Sequence, residues 1–189
     1  EIQEKSIHVK NYGNKVQSFQ ASLFDFKVEN GKRIKQKAGS NSRSLEPVLT
    51  MSPSLFKLNP NEDIYISVIV TVPKGNSTTH WGFIDIGPAK EKKDYKLDKQ
   101  LLSTGLSILS KIEVIVTQSP KINEAYHSII EDFIEIPSAV DSLRVFRTHI
   151  KNDGDKVLRP DVHLEYGVYE TAELIKLAGV EKTVYPGES

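Results

Sequence analysis

The side chains best suited to binding a metal ion lie close together near the C-terminal end of the sequence. Asp161, His163 and Glu165 alternate along one segment, and His149 could lie on a neighbouring strand. A strand would place the three alternating residues on one face, and zinc takes imidazole and carboxylate ligands. Alternating polar residues are equally typical of a strand face that meets water. We favour the solvent-facing interpretation and predict no metal site.

The sequence carries no familiar catalytic signature. GxSxG, HExxH, a phosphate-binding Walker loop and a glycine-rich dinucleotide turn are all missing, and there is no cysteine. No serine lies in a nucleophile-elbow context. We therefore predict that the protein is not an enzyme, with no catalytic residues and no cofactor.

The charge balance offers no argument for an anionic partner. Lysine plus arginine and aspartate plus glutamate each number 25, so the formal net charge is zero. Two basic runs, within 32–43 and 90–99, contain few aromatic residues and are typical of solvated loops rather than of a single-strand nucleic-acid groove. No segment reaches the roughly 18 apolar residues of a membrane-spanning helix. We predict neither nucleic-acid binding nor membrane insertion.

The segment 101–117 is the most informative candidate for binding. Every second residue from 102 is apolar or small, in a stripe that comprises Leu102, Thr104, Leu106, Ile108, Ser110, Ile112, Val114 and Val116. A typical strand has about five or six residues, so this one is long enough to extend beyond its own sheet. Because an exposed apolar strand promotes aggregation, its retention indicates a partner. The alternative is a long strand that its own domain covers completely.

The elements that must position this strand are themselves strands. About seven strand patterns, with turn signals between them, precede residue 118, which is the pattern of a β-sandwich. Residues 31–43 read as a loop or hairpin tip, and 124–136 as either a strand or a short helix. Ser119-Pro120 marks a boundary, after which 121–189 supply only four or five strands. We predict one domain over 1–120 and a second, incomplete domain over 121–189, and we expect the chain to be part of a longer polypeptide.

Three segments resemble a known family. Ser52 to Val70 combines a short proline-containing strand, an Asn-Pro turn and an alternating strand, and Glu4 to Asn14 supplies an early strand with an asparagine-rich turn. Trp81 to Pro88 is a strand that ends at a proline before a long charged loop. In this order the segments resemble the first domain of periplasmic pilus chaperones of the PapD type. The resemblance covers roughly residues 4–120.

This resemblance implies an all-β fold of two immunoglobulin-like β-sandwich domains and a role in pilus (fimbrial) assembly. Chaperones of this family insert alternate apolar residues of their last first-domain strand into an incomplete subunit, which is donor-strand complementation. The residues implied here are Leu102, Leu106 and Ile108, with Thr104 as a weaker contact. The resemblance thus implies pilin-like protein subunits as partners and a periplasmic location.

One part of the family pattern is altered. The family binds the terminal carboxylate of the subunit with an arginine from its first strand and a lysine from the donor strand. That lysine aligns with Glu113, whereas Lys111 lies two residues earlier and faces opposite the apolar stripe. We take Lys111 as the possible anchor and expect Glu113 to repel a carboxylate.

A second interpretation comes from another class of protein. The chain could be a tandem immunoglobulin-like module with a structural or adhesive role in a cell-surface or secreted protein, without chaperone activity. Further repeats of the same fold in the full gene would favour that interpretation. The eukaryotic sperm-protein variant of the sandwich is a third possibility.

Overall fold

The computed structural model describes residues 1–29, 31–89, 111–177 and 179–188. All regular elements in these ranges are β-strands, which confirms the predicted all-β class. No helix long and apolar enough to cross a membrane occurs in the described ranges. In chain order the strands are β1 (Ile2–Lys10), β2 (Gln17–Glu29), β3 (Lys32–Lys37), β4 (Leu49–Ser52), β5 (Leu55–Leu58), β6 (Asp63–Thr71), β7 (His80–Pro88), β8 (Ile112–Gln118), β9 (Ser128–Ile136), β10 (Val145–Asn152), β11 (Asp161–Val162), β12 (Glu165–Val168), β13 (Glu173–Lys176) and β14 (Val180–Glu181).

The described residues divide into two compact units. Unit 1 comprises 1–27, 35–76 and 80–118, and unit 2 comprises 28–34, 77–79 and 119–189. The predicted domain limits of 1–120 and 121–189 remain a prediction.

The strands of unit 1 lie in two antiparallel sheets. One has the order β1-β6-β4, and the other has the order β3-β2-β7-β8, with β5 paired to β2. In the first sheet, successive side chains of a strand point to opposite faces. Ile66, Val68 and Val70 of β6 are buried on one face, while the residues between them are more exposed. These side chains pack in one apolar core with Ile84 and Ile86 of β7. The two sheets are therefore joined by a single core, as in a β-sandwich.

Unit 2 contains three two-stranded ladders, β9-β10, β11-β14 and β12-β13. The β9-β10 hairpin exposes much apolar surface, including Ile130 and Phe133. Phe133 stacks on Phe146 of β10, with the ring centroids 5.6 Å apart. The ambiguous segment 124–136 is thus a strand over Ser128–Ile136 rather than a helix.

One segment is more regular than the sequence suggested. Residues 31–43, interpreted as a loop or hairpin tip, include the strand Lys32–Lys37 at the edge of the β3-β2-β7-β8 sheet. Four of its six residues are basic and mask any alternation of polar and apolar side chains. Charged side chains are nevertheless common on edge strands, where they discourage further pairing.

Candidate functional site

The predicted donor residues Leu102, Thr104, Leu106 and Ile108 lie outside the described residues. The structure describes the C-terminal part of the predicted strand, from Lys111 onward. Here β8 pairs antiparallel with β7, with Ile84 opposite Val114 and Asp85 opposite Glu113. Val114 packs against the core of unit 1, so Glu113 lies on the opposite face of the sheet.

On that opposite face, β7 carries a buried carboxylate. Asp85 is only 4% exposed, although it lies in the otherwise apolar run Trp81 to Ile86. Its Oδ2 accepts hydrogen bonds from Lys35 Nζ at 2.8 Å and from Lys111 Nζ at 3.1 Å. Because a buried charge is costly unless it is paired, the two ammonium groups explain how Asp85 is accommodated. The sheet thus brings the predicted anchor, Lys111, together with a second lysine.

Two aromatic rings of the same sheet hold Lys35 in place. Its Nζ lies 3.8 Å from the centroid of the Phe24 ring and 4.8 Å from that of Phe83. A cation over an aromatic face is attracted to the negative face of the ring. Lys35 therefore reaches inward from the edge strand β3 towards Asp85 and remains 38% exposed.

A glycine makes room for Lys111. Gly87 lies two residues after Asp85 on the same face of β7, and a Cβ built on it would lie 2.7 Å from Lys111 Cγ. That distance is far shorter than a normal carbon–carbon contact. Because position 87 has no side chain, the Lys111 side chain can lie over Gly87 and reach the carboxylate of Asp85.

Glu113 completes a four-residue cluster. Its Oε1 lies 3.7 Å from Lys35 Nζ, so its charge is partly compensated. Two lysines and two carboxylates leave the cluster without net charge. The second oxygen of Asp85, Oδ1, is buried and has no hydrogen-bond partner among the described residues.

The surroundings of Asp85 lower the pKa of its carboxyl group. Burial raises the pKa, but hydrogen bonds and charge attraction from Lys35 and Lys111 together outweigh burial and bring the pKa below its ordinary value. Asp85 is therefore ionised at neutral pH, and both lysines remain paired with it.

The predicted metal candidates do not assemble into a site. His163 Nε2 lies 3.2 Å from Glu165 Oε1, and His149 Nδ1 lies 3.8 Å from Asp132 Oδ2. Among the residues the structure describes, no group of three or more potential ligands could hold a metal ion. Both pairs lie at residues that are partly or largely exposed.

Sequence reasoning missed Lys35 and Asp85 as partners of Lys111. Lys35 was grouped with a solvated basic run, and Asp85 was not singled out within its strand. The available signal was the carboxylate itself, because a charged residue in an apolar strand requires a partner. The sequence could not identify that partner, since Lys35 and Asp85 are 50 residues apart.

Comparison with known proteins identifies the fold. No protein-family model matches the sequence, and no curated protein matches it. Among solved structures, the class 5 fimbriae chaperone CfaA matches with a TM-score of 0.59 and 12% sequence identity, over 98% of this chain and 77% of that chain. The CsuC–CsuE chaperone–tip adhesion subunit pre-assembly complex of Acinetobacter baumannii matches with a TM-score of 0.51 and 12% identity, over 98% of this chain and 79% of that chain.

The chain therefore has the fold of fimbrial chaperones. The predicted immunoglobulin-like architecture and the resemblance to the PapD type are confirmed at the level of the fold.

Proposed function

We propose that the protein is a chaperone that binds incomplete immunoglobulin-like subunits of a fimbria in the periplasm. The observation that carries this proposal is the fold shared with fimbrial chaperones over nearly the whole chain. One matching structure is a chaperone in a pre-assembly complex with a tip adhesion subunit. Fold alone does not determine function, so the proposal needs support from particular residues.

The first support is the part of the apolar stripe that precedes β8 in the sequence. In the proposed mechanism, residues 101–108 pair with the backbone of the subunit and Leu102, Leu106 and Ile108 fill its open groove, with Thr104 as a weaker contact. Three such side chains contribute about 5–9 kcal/mol of gross burial free energy, at roughly 1.5–3 kcal/mol each. Ordering and association costs offset much of this gain.

The second support is the lysine pair at the start of β8. Lys111 and Lys35 converge on one oxygen of Asp85, and both lysine side chains are also partly exposed. In the proposed complex they hold the terminal carboxylate of the subunit by charge-assisted hydrogen bonds, as the family does with its arginine and lysine. Asp85 keeps the two ammonium groups together until the subunit arrives. Glu113 weakens this anchor because it contributes a competing negative charge.

Co-secretion with fimbrial subunits tests the proposal. The chain would be expressed in a bacterial periplasm with each fimbrial subunit of its own source organism, and the complexes would be purified and quantified. We expect a stable complex with the wild-type chain and loss of most of that complex with Leu106→Asp or Ile108→Asp. Leu55→Asp, a change of the same type at a leucine that is 66% exposed on β5, is the matched control. Failure of the wild-type chain to retain any subunit, or equal complex yields for all variants, would refute the proposal.

A further inference from the structure

The Asp85 carboxylate lies deeper in unit 1 than the groups that neutralise it. Its side chain is 4% exposed, whereas those of Lys35 and Lys111 are 38% and 52% exposed. Its Oδ2 accepts hydrogen bonds from both ammonium groups, and its Oδ1 is buried without a partner among the described residues. Because a buried charge is costly unless it is paired, the two lysines compensate the charge of Asp85.

A ligand from solvent can reach the lysines without reaching Asp85. An ammonium group has three N–H donors and no acceptor, so a second carboxylate can approach Lys35 or Lys111 from the exposed side. A carboxylate that binds there draws on the same positive charges that stabilise Asp85. The ligand therefore weakens the compensation of the Asp85 charge.

The charge balance of the cluster also changes when a carboxylate binds. The two lysines, Asp85 and Glu113 together carry no net charge. A bound carboxylate leaves an excess of negative charge, and neighbouring like charges raise the pKa of a carboxyl group. The uptake of a proton from solvent restores the balance.

Asp85 is the group at which we expect that proton to bind. Its carboxylate is almost fully buried, whereas the side chain of Glu113 is 57% exposed and meets water. Burial is the strongest single influence on the pKa of Asp85 and acts upward, and the lysines outweigh it through hydrogen bonds and charge attraction combined. When a ligand shares those lysines, burial gains weight. Asp85 then binds a proton more readily than in the free chain.

Glu113 is the neighbour whose titration must be separated from that of Asp85. The titratable groups that face Asp85 among the described residues are Lys35 of β3, Lys111 just before β8 and Glu113 of β8. The adjacent strand β2 places Ser22 opposite Asp85, and a serine hydroxyl does not titrate between pH 4 and pH 8. A substitution at Glu113 therefore distinguishes the two carboxyl groups.

We propose that binding of a terminal carboxylate at the lysine pair is coupled to the uptake of a proton by Asp85. The proton comes from solvent and adds to the Asp85 carboxylate, and the ligand carboxylate takes over the pairing with Lys35 and Lys111. The inference rests on the proposed function in one respect, which is that the lysines receive a terminal carboxylate. It makes Asp85 the residue that sets how this binding depends on pH.

The affinity for a carboxylate should increase as the pH falls below neutral. Asp85 binds a proton more readily in the complex than in the free chain, so a higher proton concentration favours the complex. We expect the affinity to rise about three- to tenfold between pH 7 and pH 5. The gain should end near pH 4, because an α-carboxyl group, with an ordinary pKa of about 3.3–3.7, is itself protonated at lower pH.

A small carboxylate probe tests the coupling in the full chain. Sodium N-acetylglycinate would be titrated up to about 100 mM at constant ionic strength. Binding would be followed by side-chain NMR of Lys35 and Lys111, and protonation by carbon NMR of the Asp85 carboxyl group. We expect the pKa of Asp85 to rise when the probe binds. The uncharged analogue N-acetylglycinamide should leave that pKa unchanged.

Two variants separate Asp85 from Glu113. Asp85→Asn should bind the probe with an affinity that no longer changes between pH 7 and pH 5, because the amide takes up no proton. Glu113→Gln should keep the dependence of the wild type, since Glu113 is the more exposed carboxylate. Because the NMR titration uses the wild-type chain, it remains decisive if Asp85→Asn does not fold.

Three outcomes would overturn the coupling. The first is no response of Lys35 or Lys111 to the probe, the second is binding without a change in the pKa of Asp85, and the third is a pH dependence that Glu113→Gln abolishes. A chain that retains a fimbrial subunit but gives one of these results keeps the proposed function and loses the coupling. A chain that retains no subunit, while the probe raises the pKa of Asp85, loses the proposed function alone.

Discussion

Lys35 and Lys111, which lie 76 residues apart in sequence, donate hydrogen bonds to the same oxygen of Asp85. The first lysine comes from the edge strand β3, and the second from the residue just before β8. The carboxylate of Asp85 keeps the two ammonium groups together, because both lysines are partly exposed and each could otherwise be solvated separately.

The Asp85 pairing predicts a specific pH dependence of stability. The folded-state pKa of Asp85 lies below its unfolded value, so the pairing stabilises the fold above about pH 3.9 and this contribution is lost as pH falls through the lowered pKa. Asp85→Asn should reduce the free energy of unfolding by about 1–3 kcal/mol at pH 7. The difference between variant and wild type should shrink as the pH falls below about 3.9 and through the lowered pKa of Asp85. Urea unfolding of the wild type and of Asp85→Asn at a series of pH values measures this difference in the free energy of unfolding. Asp141→Asn, at an exposed position, is the control. A difference that does not change with pH would contradict the account.

Gly87 provides a second test of the same contact. Gly87→Ala should push Lys111 away from Asp85 and raise the pKa of Asp85 towards its ordinary value, since one of its two cationic partners moves. The pKa can be followed by NMR of the Asp85 side-chain carboxyl. Gly167→Ala is the matched control, because a Cβ at that strand position meets no atom within 4 Å. An unchanged pKa in Gly87→Ala would show that Lys111 is not required.

Asn11 and Asn152, whose side chains each donate to two backbone carbonyls, should be equally important in their two units. Asn11 and Asn152 are both buried and each connects three stretches of backbone, so replacing either with alanine leaves carbonyl groups unsatisfied. We expect each substitution to lower the free energy of unfolding by about 1–3 kcal/mol. Asn14→Ala, in the same turn as Asn11 but exposed, should change it by less than about 0.5 kcal/mol. Denaturant unfolding distinguishes these cases, and similar losses for Asn14 and Asn11 would show that the hydrogen bonds of the Asn11 side chain contribute no particular stability.

Glu113 is predicted to limit binding of the subunit carboxylate. Glu113→Lys removes a negative charge beside Lys35 and places a lysine where the PapD-type family has one. We expect subunit binding to become about three- to tenfold tighter, and the gain to decrease at high salt. Glu46→Lys replaces a glutamate with a lysine elsewhere on unit 1, and therefore controls for the effect of the altered net charge on binding. Weaker binding by Glu113→Lys would argue against a carboxylate at this site.

The sequence predicted elements with strong alternation and missed those determined by distant contacts. The alternating strand within Ser52 to Val70 and the strand over Trp81 to Pro88 were predicted because their apolar residues repeat with a period of two or run almost without interruption, and both segments contain strands. The strand Lys32–Lys37 was missed because its lysines and arginine mask any alternation. Its conformation is supported by pairing with β2 and by the contact of Lys35 with Phe24.

The candidate site could be predicted only in part. Lys111 was found because it lies beside the apolar stripe, whereas Asp85 and Lys35 depend on the order β3-β2-β7-β8, which places distant segments side by side.

Site-specific photo-crosslinking tests the central claim most directly. A photoreactive amino acid would replace Leu106, Ile108 or, as control, Leu55, in chain co-secreted with a fimbrial subunit of the source organism. The account predicts crosslinks to the subunit from positions 106 and 108 and none from position 55. A complex that forms without crosslinks at 106 and 108, or that crosslinks equally at 55, would contradict donor-strand binding.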